Sequence, residues 1–159
     1  MIICDSSPLI SFSILNRVDL LDHIFNKVCV PEAVYKELVR AGKPYCEELQ
    51  SYLYHKVKVV QNDVAVSVLK CDLGAGESEV IVLAKELSAQ FILIDDQKAR
   101  RIAELNELPV IGTLGVLLRA KRLGLVDEIR PLLEQLEQAG IRIGSKLIDM
   151  ILAAAQESH

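Results

Sequence analysis

Twice in this chain a short, unbroken apolar run stops on an acidic residue and a helical pattern begins: Ile2-Ile3-Cys4 ends at Asp5, and Phe91–Ile94 ends at Asp95-Asp96. Runs this short and this uniformly apolar read as strands buried on both faces, as in a parallel sheet. Val28-Cys29-Val30 and Pro109-Val110-Ile111 repeat the pattern, and Val57–Val60 reads as a short strand at an edge or as a connector. Strands alternating with helices predict an α/β fold, a central parallel sheet with helices on both faces. In such sheets ligands bind beyond the carboxyl ends of the strands, the edge that holds Asp5, Asp95, Asp96 and Thr113.

The intervening segments carry helix signals. Asp5-Ser6-Ser7-Pro8 starts a helix with Leu9, Ile10, Phe12 and Leu15 on it, and Pro31 opens another that runs through Ala41 and closes at Gly42. Pro44–His55 reads as a helix, Leu73–Glu79 as a flexible turn feeding a helix, and Gln97–Asn106 as the helix after the paired aspartates. A further helix follows Gly112-Thr113 through Leu123 and Gly124. Pro131–Ala139 and Ser145–Gln156 are helical, with Ser145 as a cap and Ile141 and Ile143 as a brief strand before it. Glu37 falls at the edge of its helix's apolar stripe. Glu77 stands i, i+3, i+4 and i+7 with Val80, Ile81 and Ala84, so it shares the inward stripe while Glu79 points elsewhere. A carboxylate in a first helical turn also complements the macrodipole, which is the alternative role for Glu77.

Asp5, Glu37, Glu77, Asp95 and Asp96 are therefore expected to converge. Carboxylates gathered near a core repel one another until a cation enters, and an all-oxygen set suits magnesium or manganese. Such a centre supports in-line hydrolysis of a phosphodiester, with the protein supplying position and charge. Ser6 and Ser7 read as helix caps whose hydroxyls also reach the site. Phosphate loops, dinucleotide fingerprints and nucleophile elbows are absent: Gly76-Glu77-Ser78-Glu79 runs into Val80 where an elbow requires glycine.

The 51% hydrophobic content is ample for one domain of 159 residues, yet no apolar run approaches the roughly 20 residues of a membrane span. With no basic, apolar leader before the first strand, a soluble cytoplasmic protein is expected. Four scattered cysteines without a CxxC pair and three scattered histidines argue against a zinc cage or a disulfide framework. A net charge of -4 argues against nucleic acid held over the whole surface. Lys98, Arg100 and Arg101, with Arg119, Lys121 and Arg122, form either a phosphate-facing rim or ordinary solvated helix faces.

Asp5-Ser6-Ser7-Pro8-Leu9-Ile10, Val30-Pro31, Glu37-Leu38, Leu73-Gly74-Ala75-Gly76-Glu77, Leu93-Ile94-Asp95-Asp96 and Gly112-Thr113-Leu114-Gly115 occur in that order. In this the chain resembles the PIN-domain family, and within it the DUF3368 branch of small prokaryotic proteins related to the VapC nuclease toxins of VapBC toxin-antitoxin modules. The resemblance covers roughly residues 1–125, with 126–159 similar to that branch's C-terminal helical extension, packed on the domain or at a dimer interface. It implies a Rossmann-like three-layer α/β/α domain and a Mg2+- or Mn2+-dependent ribonuclease centre. Asp5, Glu37, Glu77 and Asp96 match the family's acidic positions; Asp95 is either a second ligand or only a neighbour, and Ser6 and Thr113 are supporting residues. Ile94 stands where the family's usual threonine would be. The resemblance further implies RNA as substrate, an antitoxin protein as partner, and a homodimer. The alternative is a catalytically silent protein of the same fold that binds RNA or a protein. A phosphoacceptor receiver fits poorly, since receivers place their acidic pair after the first strand.

Overall fold

The computed structural model describes residues 1–40 and 42–157. Its centre is a five-stranded, all-parallel sheet of order β3-β2-β1-β4-β5, made of β1 (Ile2–Cys4), β2 (Val28–Pro31), β3 (Val57–Lys58), β4 (Phe91–Leu93) and β5 (Val110–Ile111). Strand β1 lies between β2 and β4 and every residue of it is buried, which is why its sequence is apolar without alternation. Helices cover both sides of the sheet, giving the three-layer α/β/α arrangement.

The helices are α1 (Ser6–Ile14), α2 (Asp19–Ile24), α3 (Glu32–Val39), α4 (Cys46–Leu53), α5 (Asp63–Leu69), α6 (Ala75–Leu87), α7 (Gln97–Leu105), α8 (Thr113–Arg122), α9 (Arg130–Gln138) and α10 (Ser145–Ala154). Register sets the acidic edge. Cys4 pairs with Leu93 and Leu93 with Ile111, so Asp5, Ile94-Asp95 and Gly112-Thr113 leave the sheet side by side. The amide of Asp5 donates to Leu93 O at 2.9 Å and that of Ile94 to Ile111 O at 3.0 Å, carrying the pairing to the point where the acids begin.

Several boundaries differ from the sequence expectation. Helix α3 ends at Val39, because Arg40 is already extended (ψ 135°); the expected end at Ala41 lies outside the described residues, as does His159. The glycine-rich segment before Glu77 is largely helical: Gly74 is the N-cap and α6 starts at Ala75. Helices α2 and α5 were not anticipated, being short and weakly periodic. Ile141 and Ile143 form no strand, since no neighbouring strand pairs with them among the described residues, and Gly144 rather than Ser145 caps α10. The C-terminal helices pack into the common core through Leu133, Leu136, Leu152 and Ala155. Among the described residues no helix is long and apolar enough to cross a membrane.

Candidate functional site

Asp5 ends the central strand at the place where the strand order reverses, between β1 and β4, which is where an open parallel sheet forms its crevice. It is the N-cap residue of α1 but its side chain caps nothing, and it is only 6% exposed. Burial pushes its carboxyl up from the ordinary 3.8 to about 7, with Glu77, Glu37 and Asp95 adding repulsion and the Ser6 amide working in the other direction.

Glu37 reaches the same point from α3. Its Oε2 accepts a hydrogen bond from Ser6 Oγ at 2.9 Å. Gly76, in the first turn of α6, is what lets the two carboxylates approach. A Cβ there would lie 3.2 Å from Glu37 Oε2, 3.3 Å from Val34 Cγ2 and 3.6 Å from Asp5 Oδ1. Any larger residue would fill the space that both carboxylates face.

Glu77 follows on α6, half-buried, with its carboxyl raised above the ordinary range by burial and then by Asp96 and Glu37. Asp96 caps α7, its Oδ2 accepting from the Ala99 amide at 2.9 Å. Asp95 turns toward α8 instead: its Oδ1 accepts from the Thr113 amide at 2.8 Å and its Oδ2 from Thr113 Oγ1 at 2.6 Å. It thereby supplies the helix-capping carboxylate that Gly112, the N-cap residue, cannot. Glu79, set aside on its helical face, accepts from the Ala33 amide at 3.2 Å and serves the start of α3.

The acids form two linked groups: Asp5 with Glu37 about Gly76, and Asp95 with Thr113 at the β4–β5 edge. Glu77 and Asp96 stand close enough to raise or be raised electrostatically. Among the described residues no lysine or arginine forms an ion pair with any of the five. Nor do three acidic, histidine or cysteine side chains there already stand as a ready ligand group. The donor chemistry nevertheless fits a hard divalent cation: every candidate donor is a carboxylate oxygen, Asp5 is buried with no ion pair among the described residues, and Gly76 leaves a space beside Asp5 and Glu37 that a Cβ would fill. Of the six basic residues named from sequence, Arg100 is held at the edge, its guanidinium donating to Ile94 O at 3.1 Å, whereas Arg119 lies over the Phe25 and Phe91 rings and Lys121 pairs with Glu157. Lys98 is near enough to Glu77 to oppose the rise in its pKa, while Arg101 is exposed. Sequence reasoning missed Gly76 and the Asp95–Thr113 pair. A glycine one residue before an acid was the available signal for the first.

A central parallel sheet with acids at its switch point defines an α/β protein whose ligand site lies at the carboxyl ends of its strands. A family model described as a PIN domain, DUF3368, matches residues 1–157, and the chain belongs to that family. PIN domains are generally nucleases and usually employ divalent metals. No curated protein and no solved structure matches the chain.

Proposed function

We propose that this protein is a divalent-metal-dependent endoribonuclease that hydrolyses RNA phosphodiester bonds, with Mg2+ or Mn2+ held by Asp5, Glu37, Glu77 and Asp96 and with Asp95 beside them. The observation that carries the reading is Asp5, a buried carboxylate at the sheet's switch point, facing Glu37 across Gly76 with no cationic partner among the described residues. A divalent ion at such a site supplies Lewis acidity and makes water a better nucleophile at neutral pH. The chain's own residues do the rest. Ser6 fixes the Glu37 carboxylate, Thr113 fixes Asp95, and Arg100 stands at the edge where a phosphate would lie. Lys98, on the same helix, lies near Glu77, and Arg101 is exposed to solvent. The resemblance to the VapC branch supports a toxin role in the cytoplasm, an antitoxin partner and a homodimer.

The test is cleavage of end-labelled single-stranded RNA with manganese or magnesium, with and without EDTA. Wild type cuts only with metal and Asp5→Asn does not cut. Equal cleavage by both proteins, or cleavage undiminished by EDTA, contradicts the proposal.

The absence of a ready three-residue ligand group among the described residues favours a second reading, a catalytically silent RNA- or protein-binding member of the fold. That reading predicts an intact fold without cleavage and little rise in melting temperature with saturating magnesium or manganese, so a large rise counts against it.

A further inference from the structure

We propose that the cavity framed by α1, α8 and α10 is a nucleotide subsite, taking the base and sugar of the single-stranded RNA residue next to the bond cut at the carboxylates; this rests on the nuclease reading above. The cavity holds about 740 Å³, and Asp95 and Thr113, the hydrogen-bonded pair of the acidic edge, are among the residues that line it. Ser7, two positions after Asp5, lines it as well. An RNA strand lying across the carboxylates therefore meets its mouth. The volume falls within the roughly 300–1,000 Å³ of small-ligand sites, enough for one nucleotide and far too little for a duplex. Only an unpaired, unstacked residue enters.

The lining suits an anion with an apolar, planar body. Ile10, Leu114, Ile143 and Leu147 give it apolar walls, and Leu147 remains 46% exposed, a large apolar surface left facing water. Gln97, Arg100 and Arg142 give it polar ends. The Arg100 guanidinium is already oriented by the Ile94 carbonyl, so it needs little ordering to meet a phosphate. Gln97 carries both a donor and an acceptor, as recognition of a base edge requires.

The outer wall comes from the connection between α9 and α10. Gly140, at φ +92°, ends α9, with the Ile141 amide donating back to Leu136 O at 3.0 Å. Beyond it Ile141 and Ile143 are half-buried and Arg142 between them is exposed, and all three line the cavity. The apolar-basic-apolar alternation that sequence reading took for a strand thus supplies two aliphatic contacts and a cation to one cavity. Among the described residues no aromatic lines it, so the base is held by aliphatic contact and hydrogen bonds rather than by stacking, and affinity for a lone nucleotide is low.

The experiment is a methyl-NMR titration of the full chain with AMP, GMP, CMP and UMP in EDTA, so that neither metal nor cleavage contributes. At least one mononucleotide shifts the methyls of Ile10, Ile143 and Leu147 at millimolar concentration. Arg142→Glu, at an exposed position that leaves folding intact, weakens binding by about tenfold or more through the lost charge contact. Asp5→Asn, which lies outside the cavity lining, still binds. The subsite is overturned if no cavity methyl moves with any nucleotide, as for a cavity built for an apolar peptide, or if Arg142→Glu binds like wild type. RNA cleavage by a protein whose cavity stays silent leaves the nuclease reading standing and removes the subsite. Nucleotide binding in the cavity without any RNA cleavage keeps the nucleotide site and removes the nuclease reading.

Discussion

Asp5 carries opposite demands of stability and function. Its carboxyl is raised from 3.8 to about 7 chiefly by burial, so the folded state takes up a proton that the unfolded chain has released over that interval. A raised folded pKa gives stability that is complete below about pH 4 and lost as pH rises through about 7. Asp5→Asn removes that loss. In EDTA, the stability of the variant relative to wild type should increase by about 2 kcal/mol between pH 5 and pH 8, measured by urea unfolding at both pH values. A difference independent of pH would show that Asp5 is not destabilised by its charge. Under the proposed function the same variant also loses metal-dependent cleavage, so the carboxylate would be kept at a cost in stability. Thr113 presents the simpler case. Thr113→Val keeps the shape but deletes the 2.6 Å bond to Asp95 Oδ2, and should lower stability by about 1 kcal/mol while the Thr113 amide still holds Oδ1. An unchanged unfolding midpoint would mean that water replaces the hydroxyl without loss.

At the scale of elements, the site depends on how closely α6 lies against α3 and the end of β1. Gly76→Ala gains helix propensity but places a methyl 3.2 Å from Glu37 Oε2, so the two effects nearly cancel in stability, to within about 1 kcal/mol. The predicted loss is in metal affinity, about tenfold or more, read by manganese titration; unchanged affinity would show that the cradle is not the ion's place. The strand runs and the acids that end them were legible in the sequence because the central strands are buried on both faces and show it in composition. Glu37 was legible through helical register. The start of α6 was not, since Gly74-Ala75-Gly76 carries the same residues as a flexible turn and only tertiary contact makes it helical. Nor was the orientation of Asp95, which depends on β5 delivering Thr113 beside it from 18 residues away. The Ile141–Ile143 alternation matched a strand by period, but a strand also needs a neighbour.

Across the whole molecule, sheet order 3-2-1-4-5 puts the ends of β1 and β4 together at the reversal, and the helices of the last thirty residues or so close the same body. Glu157 fastens that closure. Its Oε2 accepts from Lys121 Nζ at 2.9 Å and the Ile129 amide at 2.7 Å, and its Oε1 from the Arg130 amide at 3.0 Å, tying the chain end to α8 and to the start of α9. Partial burial opposes ionisation, but these three donors outweigh it and hold the carboxyl below the ordinary range. Its contribution is therefore present above about pH 4.5 and lost as pH falls through the lowered value. Glu157→Ala should cost about 1–3 kcal/mol at pH 7 and speed amide exchange at Ile129 and Arg130 before the rest of the core. Exchange that accelerates uniformly would contradict a local clasp.

The central claim is that the acids at the switch point receive a divalent ion. Manganese soaked into crystals and located by its anomalous scattering tests it most directly. An ion is expected against Asp5 Oδ1 and Glu37 Oε2, in the space Gly76 leaves, and is expected to be absent from Asp5→Asn crystals. No density there at saturating manganese, or an ion bound elsewhere and indifferent to Asp5, would contradict it.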